Sequence, residues 1–408
     1  MDPGSRHGDN AVEVRLFVEE LCCDLCRFEH VAGGTSPAEI RIDREFPLGR
    51  PGAYADLRVT VPGRPAYFLE VKLGHSLEMI EEALRRKYTG SSSVGTASKL
   101  VLVADVAPAS ATSRLSSALP AGLELEIWDE SRLLELLRER FDVALPILRR
   151  EDLVPVRHAI DRAKGIHAFG PPDPAAHVND PLESQLLWHF GFWRLEQLRL
   201  AGRASARDIL PPGTYRNVAI VLADLCGFSS YVRDTPNPAI AREALTSFYS
   251  KARYQIINSG GMLVQFVGDE VVAAFGVPDA RAGFLDAALD TARSLSSIGA
   301  SVSHGWQRRI DRVQASGGVH IGIALGDLEM VSLRPFSRTH IGAIGDSINL
   351  SARLMSAAGP GEIVVSNAFY SSLDRSAQVG FVEQPGLEAK NMGTIKAWRL
   401  IATRPTTG

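Results

Sequence analysis

Hydrophobic and polar residues alternate in two runs near the N-terminus, AYADLRVTV at 53–61 and AYFLEVKL at 66–73, with PGRP between them. A period of two is typical of strands with one buried face, and proline beside glycine favours a turn, so we predict a β-hairpin. A helical pattern over 12–28 precedes it, and a charged helix, two short strands and a second helix follow. This order predicts an α/β domain over 1–150.

The rest of the chain has a different pattern. Residues 151–180, which include FGPPDPAAH, have the composition of a linker. Apolar residues recur at helical spacing in PLESQLLWHFGFWRLEQLRL, so we predict a helical connector over 181–213 in which Trp188 and His189 serve packing. The apolar run NVAIVLADLCGF opens a second domain over 214–404, where LVQFVGDEVVAAFG predicts another hairpin.

Composition and charge describe a globular protein without a strong electrostatic field. The 408 residues are 45% hydrophobic and 22% charged, with a formal net charge of -3. This charge favours neither nucleic acid nor anionic membrane as a partner. No apolar stretch reaches the ~18 to 20 residues of a membrane span, and the start MDPGSRHGDN is unlike a signal peptide. We expect a cytoplasmic protein with no stable nucleic acid partner and no membrane insertion.

Three of the four cysteines, Cys22, Cys23 and Cys26, lie together in LCCDLCRF, and Cys226 lies far downstream. A structural zinc site needs four ligands, and no second pair of Cys or His residues at matching spacing accompanies this cluster. Because apolar residues surround the cluster, we predict reduced thiols buried on an amphipathic helix.

Two aspartates of the second domain are candidate metal ligands. Asp224 ends an apolar strand and precedes a small turn with Gly227 and Phe228, whose backbone N–H groups can hold phosphate. Asp269 follows Gly268 at the tip of the second predicted hairpin. Either aspartate alone is more often a turn residue, since Asp is favoured in turns. Their shared context indicates metal-dependent phosphoryl chemistry.

A third segment, GDSINLSARLMSAAGPGEIVVS, places Asn349 and Arg353 four residues apart in a helical pattern. Both side chains therefore project from one helix face, where an amide and a guanidinium can bind a ribose and a phosphate. Such a pair is also common on solvated helix faces. Leu350, Leu354 and Met355 supply a buried face, which leaves the polar pair free for either role.

The motifs LADLCGFSSY, VQFVGDEVVAAFG and HIGAIGDSINLSARLMSAAGPGEIVVS resemble, in order and spacing, the catalytic segments of class III nucleotidyl cyclases over 214–404. The resemblance implies a ferredoxin-like α/β catalytic domain that works as a homodimer with active sites at the interface. It also implies the reaction, which closes a nucleoside triphosphate to its 3′,5′-cyclic monophosphate and releases pyrophosphate.

The same resemblance implies a role for each matching residue. Asp224, the backbone carbonyl of Leu225, and Asp269 would bind two Mn²⁺ or Mg²⁺ ions per active site. Asn349 and Arg353 would act from the other protomer.

Four further positions are candidates for substrate binding. Lys390 lies where members of the family place a lysine on the triphosphate, and an ordinary surface lysine is its alternative. A pyrimidine base is smaller than a purine and would leave space in the site. Phe228, Tyr231 and Tyr254 are candidates to fill that space.

The two positions that read the base depart from both purine rules. Adenylyl cyclases of the family carry Lys, and guanylyl cyclases Glu, four residues before the second metal aspartate, where this chain has Gln265. Seven residues before the asparagine, Asp or Thr reads adenine and Cys commonly reads guanine, but this chain has Gly342. The chain thus resembles the bacterial pyrimidine cyclases of anti-phage (Pycsar) signalling. A Gln amide both donates and accepts, so the residues alone do not choose between uracil and cytosine.

On this resemblance we favour UTP as the substrate and cUMP as the product. The product would act as a second messenger on a separate effector, for which a membrane protein is one option. A cytidylate cyclase, or a purine (adenylate) cyclase in ordinary signalling, is the alternative.

The first predicted hairpin carries a second candidate site. Asp56 lies on one strand, Glu70 and Lys72 lie on the other, and a period of two puts Glu70 and Lys72 on one sheet face. The arrangement resembles the PD-(D/E)xK core of a restriction-endonuclease-like fold, with Glu20 as a candidate added ligand and Ala55 in place of the motif's proline. It implies a metal-dependent nuclease as a further alternative function; we favour a regulatory or sensing domain.

Overall fold

The computed structural model divides into two compact units, Met1–His177 and Val178–Gly408. No helix among its described residues is long and apolar enough to cross a membrane. The structure describes residues 3–50, 52–91, 93–169, 181–203, 206–311, 317–333, 340–389 and 393–401.

The first unit is a mixed five-stranded sheet with helices packed on it. Its strands run in the spatial order β1-β2-β3-β4-β5, and β3, β4 and β5 are parallel. They are β1 (Arg41–Pro47), β2 (Tyr54–Thr60), β3 (Ala66–Lys72), β4 (Ala97–Ala104) and β5 (Glu124–Trp128). The helices are α1 (Pro3–Ala32), α2 (Leu77–Tyr88), α3 (Pro108–Ser116), α4 (Glu130–Phe141) and α5 (Leu153–Phe169), with 3-10 turns at Val94–Thr96 and Arg150–Asp152.

The first predicted hairpin is confirmed, since β2 and β3 pair antiparallel with Leu57 opposite Leu69. Ala55, Leu57 and Val59 are buried while the residues between them are half-buried, as the period of two predicts. In β4, by contrast, five consecutive residues are buried from Leu100 onward, as expected of a strand covered on both faces.

Part of the predicted linker is helical and belongs to the first unit. Helix α5 buries Val156 and Ile160. Lys164 Nζ lies 2.6 Å from Asp24 Oδ1, and Arg157 Nη1 lies 3.0 Å from Asp24 Oδ2 on α1. The segment looked like a linker because charged residues and proline interrupt its apolar positions, yet its buried face is sufficient for packing. Residues 170–180 lie outside the described residues.

The second unit is an eight-stranded mixed sheet. Its strands have the spatial order β12-β13-β11-β9-β6-β8-β7, and β10 pairs with β9 off this path. They are β6 (Gly213–Leu225), β7 (Met262–Val267), β8 (Glu270–Phe275), β9 (Val319–Leu333), β10 (His340–Ile344), β11 (Glu362–Ser366), β12 (Val382–Ala389) and β13 (Gly393–Ile401). The helices are α6 (Pro181–Leu200), α7 (Ala206–Ile209), α8 (Phe228–Asp234), α9 (Pro238–Asn258), α10 (Phe284–Ile310), α11 (Asp346–Ser356) and α12 (Asn367–Ser372).

Central strand β6 separates two hydrophobic cores. Its residues Val221 and Ala223 pack in the core that contains side chains of α9 and α10. Ile220 and Leu222 point to the other face and pack in the core that contains side chains of α6 and α11. Continuing the alternation, Asp224 lies on the α6 and α11 face.

The predicted connector helix α6 belongs to the second unit and is kinked. Gly191 has φ 70 and ψ 167, outside the helical region, and a Cβ there would lie 2.7 Å from the Ile257 side chain. His189 is buried with its Nδ1 2.6 Å from the Leu263 carbonyl oxygen, whereas Trp188 is half-exposed beneath the Arg253 guanidinium. The predicted helix is present, but its periodicity gives no sign of the kink at Gly191.

Cys22, Cys23 and Cys26 are buried on α1 and form no disulfide bond among the described residues, in agreement with the predicted buried thiols. Burial raises the pKa of the Cys26 thiol to about 11, so this thiol stays protonated at neutral pH. The described residues contain no group of three or more His, Cys, Asp or Glu side chains that could hold a metal ion.

Candidate active site

The carboxyl groups of Asp224 and Asp269 lie within hydrogen-bonding reach of each other. Asp224 is near the end of β6, and Asp269 lies in the turn between β7 and β8, where Gly268 supplies the positive φ of 62°. Because β6 and β8 pair antiparallel, with Ala223 opposite Val271, the end of β6 meets the start of β8. The structure therefore brings together the two aspartates that the sequence singled out.

This proximity has an electrostatic cost. Burial, followed by the hydrogen bond and the charge of Asp224, raises the pKa of Asp269 to about 7. Two adjacent carboxylates resist simultaneous ionisation, and a cation placed between them relieves the repulsion.

The donor set fits a hard divalent cation. Carboxylate oxygens suit Mg²⁺ and Mn²⁺, and Mg²⁺ in particular is often held by one or two carboxylates together with substrate phosphates. Asp224 and Asp269 provide two carboxylates, and among the described residues no third His, Cys, Asp or Glu side chain is placed to bind a metal ion together with them. A cation here would depend on backbone oxygen and on the triphosphate for its remaining ligands.

His320 is a site residue that the sequence did not reveal. It lies directly opposite Asp224 in the β6–β9 pairing, with its Nε2 3.1 Å from Asp224 Oδ2. The hydrogen bond to Asp224, followed by one to Cys226, raises the pKa of His320 to about 10. The ring is therefore protonated at neutral pH and holds Asp224 by a charge-assisted hydrogen bond. A histidine beginning an apolar strand gives no signal without the strand register.

The turn after β6 is fixed by its own contacts. The backbone N–H of Cys226 donates to the Gly318 carbonyl oxygen at 2.9 Å, and Gly227 has the positive φ of 71° that favours glycine. Leu225 is buried at the strand end. Phe228 packs edge-on against Trp306 at 5.9 Å between ring centroids.

Of the aromatic candidates for filling the base site, Tyr231 is 2% exposed and is committed to packing. Its ring lies 5.1 Å from that of Trp306, and its hydroxyl accepts a hydrogen bond from Gln307 Nε2. Tyr254 is half-buried on α9.

Gln265 is exposed on β7 and lies on the same sheet face as Asp224. The register places Gln265 opposite Val272, and Val272 opposite Leu222, whose side chain points to the α6 and α11 face. Gly342 lies on β10 opposite Val331 of β9.

Helix α11 carries Asn349 and Arg353 away from its packed face. Ser351 anchors the helix, because its hydroxyl donates to the Ile220 carbonyl oxygen at 2.7 Å and accepts from the Ala324 N–H at 2.9 Å. Asn349 is exposed and Arg353 half-buried. Neither side chain has a hydrogen bond or ion pair with the part of the chain that the structure describes. Lys390 lies outside the described residues.

The N-terminal candidates Asp56, Glu70 and Lys72 are also brought together. Lys72 Nζ lies 3.0 Å from Asp56 Oδ2 and forms an ion pair with Glu70. Glu20, the candidate added ligand, forms an ion pair with Arg157 Nη2 of α5 at 2.6 Å.

Residues 210–402, just under half of the chain, match the family model described as the adenylate and guanylate cyclase catalytic domain. The matched segment contains Asp224, Asp269, His320 and all of α11. The second unit contains a class III cyclase catalytic domain. This agrees with the predicted fold, a mixed α/β chain with the cyclase domain in its C-terminal half, and with the N-terminal sheet domain before it. Class III cyclases generally depend on divalent metal ions, and they bind nucleoside triphosphates and often dimerise.

Similarity to curated proteins is confined to part of each chain. An uncharacterized protein of Mycobacterium tuberculosis is 29% identical over 142 residues, which cover 35% of this chain and 23% of that protein. Another from the same organism is 25% identical over 199 residues, covering 46% of this chain and 35% of that protein. The chain therefore spans well under half the length of the curated relatives it matches.

Solved cyclase structures are similar at low identity. The guanylyl cyclase Cya2 is 22% identical with a TM-score of 0.39, over 46% of this chain and 93% of that one. The adenylyl cyclase CyaB from P. aeruginosa is 21% identical with a TM-score of 0.39, over 48% of this chain and 99% of that one. Similarity at this sequence identity and TM-score does not indicate which nucleotide base the chain binds.

Proposed function

We propose that the second unit converts a nucleoside triphosphate to its 3′,5′-cyclic monophosphate and pyrophosphate. The ribose 3′-oxygen forms a bond to the α-phosphorus, the bond from this phosphorus to the β-phosphate oxygen breaks, and the hydroxyl proton is released. The observation that carries the proposal is the pairing of Asp224 with Asp269 inside the matched cyclase segment.

Asp224, Asp269 and the Leu225 carbonyl are the groups that would hold Mg²⁺ or Mn²⁺, two ions per site by family resemblance. The bound ions would acidify the 3′-hydroxyl and offset the charge of the triphosphate. His320 contacts Asp224 through its hydrogen bond and would orient it, and the turn at Gly227 would offer backbone N–H groups to a phosphate.

Asn349 and Arg353 would complete the site from a second copy of the chain. Their side chains are on the outer face of α11 without partners among the described residues, which suits groups that bind across an interface. A guanidinium there can stabilise charge on the transferring phosphorus, and an amide can orient the ribose.

The substrate we propose is a pyrimidine nucleoside triphosphate, with UTP favoured and cUMP as the product. Gln265 replaces the residues that read purines, and its exposed amide is on the sheet face of Asp224. A glycine at 342 offers no side chain to a purine. By the same resemblance, cUMP would serve as a second messenger in anti-phage defence through a separate effector.

The activity test uses purified protein with ATP, GTP, CTP and UTP separately in Mn²⁺, and chromatography separates the cyclic products. We expect cUMP in excess over the other three products. Cyclic CMP as the main product would shift the assignment to cytidylate cyclase, and a cyclic purine nucleotide would reject the pyrimidine proposal. The defence role predicts that cellular cUMP rises after phage infection and that Asp224→Asn abolishes both the rise and the protection.

A further inference from the structure

Four charged side chains in the first unit form one cluster at the junction of β2, β3 and α2. Asp56 lies on β2, Glu70 and Lys72 lie on β3, and Lys87 lies on α2. Ile80, Leu84 and Tyr88 recur every four residues on α2 and are buried, which seats the helix on the sheet. Its last turn thereby reaches Glu70, which is fully buried.

The ammonium group of Lys72 lies among three oxygen atoms. Its Nζ is 3.0 Å from Asp56 Oδ2 and 3.3 Å from the Val71 carbonyl oxygen, and it forms an ion pair with Glu70 Oε2. Three convergent oxygens, two of them from carboxylates, are the environment that a hard cation takes in proteins. In this structure an ammonium group takes that position.

Lys87 covers the other side of the carboxylate pair. Its Nζ lies 2.9 Å from Glu70 Oε1 and 2.7 Å from Glu70 Oε2, and 3.7 Å from Asp56 Oδ1. Tyr88 donates to Glu70 Oε1 at 2.8 Å, and the Val71 N–H donates to Asp56 Oδ2 at 2.7 Å. Each oxygen of the two carboxylates therefore contacts an ammonium group, a backbone N–H group or a hydroxyl group.

Charge and burial make this arrangement hard to open. Two carboxylates and two ammonium groups balance, and an uncompensated charge at a buried site is strongly unfavourable. Burial alone would lower the pKa of Lys72, but Asp56 and Glu70 outweigh it and raise this pKa above its ordinary value. Lys72 thus remains charged at neutral pH, and a divalent cation would have to displace an ammonium group.

We infer that Lys87 closes this cluster to divalent cations, so that the first unit binds no metal at Asp56 and Glu70 and does not cleave nucleic acid by a metal-dependent route. Lys87 is the member of the cluster that lies outside the Asp56, Glu70 and Lys72 pattern read from the sequence. It contributes the charge that brings the cluster to neutrality. The inference is independent of the proposed cyclase activity.

The test measures Mn²⁺ binding by electron paramagnetic resonance in the full chain carrying Asp224→Asn and Asp269→Asn, which removes the other candidate metal ligands. We expect that changing Asp56 to Asn does not alter Mn²⁺ binding in this background. Adding Lys87→Gln to this background removes one positive charge from the cluster, and we expect Mn²⁺ affinity to rise at least about tenfold. Asp56→Asn in the same protein should abolish the new Mn²⁺ site. The Lys87→Arg variant keeps the positive charge, so it should not gain a Mn²⁺ site. Arg85→Gln is the matched control, since it removes a charge from an exposed position of the same helix.

Two results overturn the inference. One is Mn²⁺ binding by the background protein that Asp56→Asn removes, because the cluster would then hold metal with Lys87 present. The other is a folded Lys87→Gln variant, judged by circular dichroism, that gains no Mn²⁺ site. Should Lys87→Gln fail to fold, plasmid cleavage by the otherwise unchanged chain in Mn²⁺ decides the question: we expect none, and cleavage that Asp56→Asn abolishes contradicts the inference.

Discussion

His320 Nε2 lies 3.1 Å from Asp224 Oδ2, across the pairing of β9 with β6. The contact fixes which oxygen of Asp224 is tied to the sheet and which remains available to a cation. Partners of this kind typically change metal affinity about 10- to 100-fold when removed. We therefore expect His320 to influence the metal binding that we propose for Asp224.

Replacing His320 with Leu should raise the Mn²⁺ concentration for half-maximal activity by about 10- to 100-fold. The KM for substrate at saturating Mn²⁺ should change little, because His320 acts through the aspartate. His320→Gln keeps a donor and should recover part of the loss, and His304→Leu, at an exposed position of α10, is the control. An unchanged Mn²⁺ requirement in His320→Leu would show that the hydrogen bond has no part in metal binding.

Mixing two inactive variants tests whether Asn349 and Arg353 act across a dimer. Asp224→Ala and Arg353→Ala should each be inactive alone. In a twofold dimer of one with the other, both defects fall in one site and the second site is intact. A randomly exchanged equal mixture should therefore recover about a quarter of the wild-type activity. If the subunits are shown to exchange and no activity returns, Asp224 and Arg353 act in the site of the same protomer.

Gln265 should determine which base is accepted. Gln265→Ala removes an amide that can both donate to and accept from a pyrimidine, so kcat/KM for the preferred triphosphate should fall about 10- to 100-fold, equivalent to about 1 to 3 kcal/mol. The Mn²⁺ requirement should stay the same, because Gln265 is not a metal ligand. Gln384→Ala, on β12, is the matched control. Equal losses with all four triphosphates would mean that Gln265 does not read the base.

Gly322 sets the distance between α11 and β9. A Cβ at this position would overlap the backbone of Ser351 and Met355, so the helix carrying Asn349 and Arg353 would have to move. We expect Gly322→Ala to lower the free energy of unfolding by about 1 to 3 kcal/mol and to reduce activity.

Gly305→Ala is the control for Gly322, because a Cβ there meets nothing within 4 Å and the position is inside α10. It should be neutral or stabilising, by up to about 1 kcal/mol. Urea unfolding of both variants measures the difference. Equal stabilities would remove the packing argument for Gly322.

Local patterns predicted much of the fold and of the site. The first hairpin is visible as two alternating runs and the second as two apolar segments around Gly268 and Asp269. The positions of Asp224 and Asp269 at strand ends follow from the apolar segments beside them. Contacts between distant segments were not visible. His320 is 96 residues from Asp224 along the chain, and only the β6–β9 register makes them neighbours. Lys87 gave no signal in the sequence, because its contact with Glu70 depends on how α2 packs on β3.

The errors have physical causes as well. Residues 153–169 look like a linker because charged residues and proline interrupt their apolar positions, although the burial of Val156 and Ile160 is enough to dock helix α5. The kink at Gly191 leaves no trace in the sequence pattern, because helical periodicity continues on both sides of it.

The most direct test of the central claim is product formation from UTP in Mn²⁺ by the unchanged chain beside Asp224→Asn, Asp269→Asn and the exposed control Asp374→Asn. We predict cUMP and pyrophosphate from the unchanged chain and the control. Each of the other two variants should lose more than about 100-fold of this activity, since each removes a carboxylate that we propose binds metal. Undiminished product from Asp224→Asn and Asp269→Asn, or no cyclic nucleotide from any of the four triphosphates with the unchanged chain, would contradict the claim.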